Sequence, residues 1–356
     1  MHDISFLTSF IGFFLVLTPL VFFHELGHYY AAIKSGVAVE SFSIGFGPEL
    51  IGFNDKRNTR WKLSLIPLGG YVKMKGELVN ISNNLKKNKN DHDTFLNASI
   101  FSRIFIVISG PIANLFLGSL LITSIYVFNG RYVTPPIVDE VISSQPAKIA
   151  GIISGDQIIS INNSQINEFS DVKKIVENSP QKLLVFKVLR DNSLIFFNVI
   201  PNSYFNSNLN KNVGRIGIKA STTILKKLSV FNAFKLGFYD SIQMTSEWLK
   251  GLKSLFTFNV DKKDILGPIG IAKISGSSLD KGLFSVLFLM AILSINLGLI
   301  NLLPIPVLDG GYLVLFVYEL IFKKPLSSSI QIFLLKFGFI FLISLMLLVT
   351  AFDLGF

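Results

Sequence analysis

Cysteine is absent from this chain of 356 residues. Disulfides, haem–thiolate ligation, iron–sulfur clusters and cysteine zinc sites are therefore excluded. Charge is scarce as well. Asp, Glu, Lys and Arg make up 16% of the residues, against roughly 25% in an ordinary soluble domain. Half of the chain is apolar, 13% is aromatic, and the mean hydropathy is +0.54. Those values exclude an ordinary cytosolic enzyme. They also exclude disorder, because low hydrophobicity is what keeps a chain unfolded. The net charge of +10 fits nucleic-acid binding in isolation, but in so apolar a chain it marks cytoplasmic loops. No nucleic-acid partner is expected; the expected environment is a lipid bilayer.

Four apolar stretches reach the ~20 residues that a bilayer crossing takes. They run from Ile4 to Ile33, Ile100 to Phe128, Leu283 to Leu303 and Ile330 to Phe352. The first lacks a basic flank and a small-residue cleavage site, so it reads as a span and not as a signal peptide. Orientation follows the loop cations. The loop from Ser35 to Asn97 carries Lys56, Arg57, Arg60, Lys62, Lys73, Lys75, Lys86, Lys87 and Lys89, and the connector from Pro304 to Ser329 carries Lys323 and Lys324. Met1–Asp3 and Asp353–Phe356 carry none. Both termini are therefore expected outside and both connectors in the cytoplasm, with the segment between spans two and three external.

That segment has two textures. Short alternating runs, among them Ile158–Ile161, Leu183–Leu189 and Leu194–Ile200, surround a polar helical piece near Asp171–Asn178, which predicts one small α+β domain. Beyond it Phe231, Phe234, Phe238, Ile242, Leu249, Leu252 and Phe256 recur at helical spacing. This amphipathic helix either lies on the membrane or packs on its own domain. Asn80–Asp93, which includes His92, reads as a polar loop tip.

The chemistry concentrates in His24-Glu25-Leu26-Gly27-His28. Helix positions i and i+4 lie one above the other, so both imidazoles face one way and suit two positions of a tetrahedral zinc site. Glu25 adjoins the first ligand, where it can take a proton from a water held by the metal. With four His and nine Glu in the chain, the pattern arises by chance roughly once in a thousand such sequences. It sits at the inner end of a span, where ionisable groups mark function. A catalytic zinc wants a third protein ligand. Asp309, just after span three, is the leading candidate, because spans one and three run in the same direction and end at the same depth. Glu319 is the runner-up. Pro304 and Pro306 break the backbone within Asn301–Gly311, and irregular backbone at such depth lines a cavity. There Asn301 can hydrogen-bond an extended substrate. Ser109–Asn114 places Pro111 and Asn114 inside span two and is expected to interrupt it in the same way, with Asn114 either meeting substrate or bridging helices. Ser43–Pro48 and Lys62–Met74 read as a glycine-turned hairpin near the membrane, whose edge could hold a peptide as an added strand.

Together, HELGH in span one, SGPIANLFLG in span two, GPIGIA at Gly267–Ala272 and NLLPIPVLDGG after span three resemble the site-2 protease family, and within it the bacterial regulator-of-sigma-E protease type. The resemblance covers nearly the whole chain. It implies an intramembrane zinc metalloprotease of peptidase family M50 in a bacterial inner membrane. His24, His28 and Asp309 match the Zn2+ ligands and Glu25 the catalytic glutamate. Asn301, Pro304 and Pro306 match the loop that positions substrate. Substrates would be single-span membrane proteins, such as anti-sigma factors already cut once, or remnant signal peptides. Ser143–Asn162 resembles the family's PDZ domains, which take peptide C-termini. The external part has room for one such domain, whereas the best-known members carry two.

The expected fold is thus an α-helical polytopic membrane protein. It has four transmembrane helices, a membrane-associated β-hairpin region on the cytoplasmic side and one external α+β PDZ domain. The expected divisions are 1–129 (spans one and two with the motif), 130–220 (PDZ), 221–281 (amphipathic helix and linker) and 282–356 (spans three and four with Asp309). A non-catalytic membrane-anchored PDZ adaptor and a proton-relay transporter are the competing readings; neither uses a bound zinc.

Overall fold

A computed structural model describes residues 6–76, 93–206, 211–256 and 266–355. Asp3, His2 and the loop tip from 80 to 92 lie outside the described residues. In chain order, α1 (Phe6–Lys34) leads to a hairpin of β1 (Val39–Asn54) and β2 (Arg60–Met74), and then to α2 (Ile100–Phe128). Next come β3 (Arg131–Val133), β4 (Val138–Val141), α3 (Pro146–Ile149), β5 (Gln157–Ile161), β6 (Ser164–Gln165) and α4 (Phe169–Glu177). They are followed by β7 (Leu184–Arg190), β8 (Ser193–Val199), β9 (Asn202–Asn206), β10 (Lys211–Arg215), β11 (Ile218–Ala220) and β12 (Ile224–Lys226). The chain closes with α5 (Val230–Phe256), α6 (Pro268–Asp280), α7 (Leu283–Asn301), α8 (Asp309–Phe322) and α9 (Ser328–Asp353). It divides into two compact units, Tyr126–Ser229 and the remainder.

In the helical unit, α1, α2, α7 and α9 are long and apolar enough to cross a membrane. At 1.5 Å per residue, α7 is about 28 Å long, close to the ~30 Å hydrocarbon thickness, and α1 and α2 are longer. α8 has 14 residues, too few to span. The expected interruption of span two is corrected: α2 runs unbroken through Pro111. Proline removes one intrahelical bond, and packed neighbours compensate at membrane depth. Here α7 supports the stretch. A Cβ on Gly298 would lie 2.8 Å from the Pro111 carbonyl, and Ser294 Oγ donates to Asn114 O at 2.7 Å.

α6 was not legible as a separate element. Its small residues let it lie close against α1, where a Cβ on Gly12 would come within 2.8–2.9 Å of the Ser275–Gly276 backbone. The Asp353 carboxylate at the end of α9 accepts the amides of Gly267 and Gly270, both at 2.9 Å, and so caps α6. α5 packs beside α2, close enough that a Cβ on Gly237 would overlap Thr123.

The hairpin is longer than its sequence pattern indicates, because Gly45, Gly47 and Gly69 take positive φ and shift the register, which breaks the two-residue alternation. Its inner face joins a core of Tyr29, Val39, Phe42, Val72, Met74 and Ile106. At its tip Asp55 accepts Tyr29 Oη (2.8 Å), Trp61 Nε1 (3.1 Å) and the amides of Arg57 (2.8 Å) and Thr59 (2.9 Å). Partial burial pushes this carboxyl up, but the four donors together outweigh it and hold the carboxyl down at about 2. Protons therefore bind the unfolded tip more readily than the folded one. The anchor is fully present above pH ~4 and is lost as the pH falls toward 2. Trp61 fluorescence in a Trp248→Phe background should be flat above pH 4 and change below it, and Asp55→Ala should give the low-pH signal at pH 7.

In the second unit a sheet of order β6-β5-β7-β8 covers a core of Ile158, Ile161, Phe186, Val188, Val172 and Ile152. The fully buried Asp156 is held by Arg190 at 2.7 and 2.8 Å. β3 pairs with β12, within the compact unit Tyr126–Ser229. Strands of three residues are too short to leave a periodic signal.

Candidate metal centre

α1 delivers His24 and His28 to one face, with Nε2 atoms 3.2 Å apart. Asp309, the first residue of α8, meets both: its Oδ2 lies 3.2 Å from His24 Nε2 and 3.5 Å from His28 Nε2. The histidines are 8% and 7% exposed. Among the described residues these three form the group placed to hold a metal ion. Donors about 2.0–2.2 Å from a tetrahedral zinc would stand about 3.3–3.6 Å from each other, so the separations lie close to that range. The buried Oδ2 of Asp309 has no hydrogen-bond donor among the described residues. A buried carboxylate oxygen without a donor is costly unless a cation compensates it.

The site stands on close helix contacts. A Cβ on Gly27 would overlap the Ser109 carbonyl of α2, and one on Gly110 would overlap the His28 ring. α2 also fixes His28 directly, because Nδ1 bonds to Ile106 O at 2.9 Å and leaves Nε2 bare. Downstream, the turn before Asp309 folds tightly onto α8. Side chains at Gly310 or Gly311 would overlap the carbonyls of Leu302, Leu303 and Ile305. Val307 sits at φ 86°, a strained value for a β-branched residue and one that clusters at functional sites.

Glu25, His24, His28, Asp309 and Asn301 share a cavity of about 500 Å³ with Phe46, Gly70 and Tyr71 of the hairpin. Glu25 accepts a backbone hydrogen bond from Val72 of β2. Asn301 Nδ2 lies 3.3 Å from His24 Nε2, on the cavity side. Pro304 and Pro306 do not line the cavity. Pro306 instead backs onto α9, where a Cβ on Gly338 would overlap its carbonyl. Asn114 is fully buried behind His24, its Nδ2 3.3 Å from His24 Nδ1, and is also outside the cavity. Glu319, the alternative third ligand, is committed elsewhere: it pairs with Arg103 of α2 at 2.7 and 3.0 Å.

The sequence family model described as peptidase family M50 matches residues 12–345. The chain belongs to peptidase family M50. A Rickettsia conorii protein provisionally named a zinc metalloprotease is 36% identical over 97% of this chain and 98% of its own length. Another so named, from Agrobacterium fabrum, is 34% identical over 99% and 97%. The metalloprotease MmpA of Caulobacter vibrioides is 32% identical over 99% and 96%.

In this M50 chain the polar side chains that converge here stand in motifs visible in the sequence, whereas the glycines that let them converge do not stand out. Gly27 lay inside the HELGH motif and Gly110 inside SGP, but each is required by an atom of another helix. The only sequence signal was a glycine within an apolar span, which marks close helix approach.

Proposed function

We propose that this chain is an intramembrane zinc metalloprotease that hydrolyses peptide bonds in the membrane-spanning segments of single-span proteins. One observation carries the reading: two histidines of α1 and an aspartate far along the chain converge at zinc-compatible spacing beside Glu25, in a cavity large enough for a peptide. His24, His28 and Asp309 hold the ion. When bound, zinc polarises the scissile carbonyl and makes hydroxide available near neutral pH. Glu25 takes the proton of the attacking water and returns it to the leaving amide nitrogen. Asn301 Nδ2 faces the same space and donates to a substrate carbonyl. The β1–β2 hairpin beside the cavity holds the unwound segment extended, as an added strand. A helical amide is shielded and already hydrogen-bonded, so helix-breaking residues in the substrate favour cleavage.

The same proposal places both termini outside a bacterial inner membrane and the centre near its cytoplasmic side, from the loop cations. It reads residues 126–229 as a single PDZ domain. In support, a groove of about 390 Å³ runs between α4 and residues 214–218, lined by Val172, Val176, Ile216 and Ile218, and suits an extended peptide end.

Metal analysis of the full-length protein tests the activity. About one zinc per chain is expected. Chelation should abolish cleavage of a single-span substrate in proteoliposomes, and added zinc should restore it. A chain with no zinc, or cleavage indifferent to chelators, would favour the adaptor reading.

A further inference from the structure

Each imidazole of the centre has two nitrogens, and only a bare one can ligate. His28 solves this with a backbone partner. Its Nδ1 bonds to Ile106 O at 2.9 Å, a carbonyl can only accept, and so the ring proton sits on Nδ1 and Nε2 stays bare. His24 presents the same atom, Nε2, to Asp309, so it needs an acceptor behind Nδ1 as well. The group there is the Asn114 side chain. It is 0% exposed and reaches His24 Nδ1 at 3.3 Å. Its Oδ1 is buried with no hydrogen-bond donor among the described residues.

An amide nitrogen facing Nδ1 would require the ring proton on Nε2, the atom that has to ligate. Turning the amide by half a revolution exchanges its two ends. Oδ1 then accepts the Nδ1–H, and both its missing bond and the tautomer of His24 are satisfied together. The neighbouring backbone is already tied, Asn114 O accepting Ser294 Oγ at 2.7 Å, so the side chain turns on a fixed mount. Full burial outside the cavity keeps Asn114 from touching a peptide there.

We propose that Asn114 is a positioning residue of the metal centre, whose Oδ1 holds His24 in the Nδ1–H tautomer and so keeps Nε2 bare. This assignment rests on the zinc reading of His24, His28 and Asp309 and deepens it. Both histidines then take their orientation from α2, one through a carbonyl and one through an amide. Loss of such a supporting partner typically costs 10–100-fold in metal affinity.

The test uses the full-length protein in detergent, with zinc affinity measured by chelator competition and the site geometry read from the ligand-field bands of the cobalt-substituted form. Asn114→Leu, close in size but without an acceptor, should bind zinc about 10–100-fold more weakly and should alter the cobalt bands. Asn114→Asp keeps an acceptor and should hold the loss well under tenfold, with bands of wild-type shape. Thermal melting of the metal-stripped proteins controls for folding, and Asn114→Ala replaces the leucine variant if that one does not fold. The assignment is overturned if Asn114→Leu or Asn114→Ala binds zinc as the wild type does and only raises KM, or if Asn114→Asp is as weak as Asn114→Leu. A wild type that takes up no zinc overturns the zinc reading itself, and this assignment with it.

Discussion

Glu25→Gln is expected to slow peptide cleavage by about 10²–10⁴-fold, the usual range for a lost general base, with the zinc content of the purified protein unchanged. Glutamine has the shape of glutamate but cannot take up the proton of an attacking water. It can still accept the Val72 backbone bond that steadies Glu25, so the side chain should stay in place. The atoms placed to hold an ion belong to His24, His28 and Asp309, and the substitution removes none of them. Cleavage of a single-span substrate in proteoliposomes, paired with metal analysis of the same preparation, checks both halves. A variant that cleaves near the wild-type rate with zinc bound would show that another group moves the proton.

How much of this centre could be read in advance depended on the kind of signal each residue leaves. His24, Glu25 and His28 are legible because their relation is local: one helix period places both rings on one face. Asp309 is legible only through topology, since Asp-Gly alone reads as a turn; only the expectation that spans one and three run in the same direction puts it at the depth of the histidines. Gly110 and Gly27 left only a weak trace, because each is demanded by a packed neighbour that no local period reports. Asn114 shows the same limit differently. Its place inside an apolar span announces a polar task, but whether it faces substrate, a helix or a ligand's far side depends on the crossing of α1 and α2.

The elements divide along the same line. The four long apolar helices and β5, α4, β7 and β8 follow from period and length. α6 does not, because its Gly and Ser residues describe close approach to α1 and carry little helical signal of their own. Pro111 misleads in the opposite direction. Taken singly it breaks a helix, but packing from α7 carries α2 through it. Glu319 is acidic, expected on the same side as the centre and near Asp309 in sequence, and nothing local distinguishes it from a ligand. Arg103, 216 positions away, does so by pairing with it.

Asp309→Asn should remove both metal and activity, and the loss of zinc affinity should exceed the ~100-fold upper figure for a supporting residue. The amide oxygen is neutral, so it binds a dication poorly and leaves the ion between two neutral imidazoles. Asp309→Glu should not restore the site. The extra methylene moves the carboxylate by more than about 1 Å, and Gly310 and Gly311 already lie against the carbonyls of residues 302–305, so the turn has no room to retreat. The fold should tolerate the asparagine. α8 is also anchored by Arg103–Glu319 near its other end, and asparagine keeps the size of the side chain and an oxygen within reach of His24 and His28. A single cooperative melting transition of the metal-stripped variant, together with zinc titration, checks this. High zinc separates the two roles. It should recover part of the activity of Asp309→Asn, where occupancy is limiting. It should recover none in Glu25→Gln, where the ion is already bound and the missing part is the proton carrier.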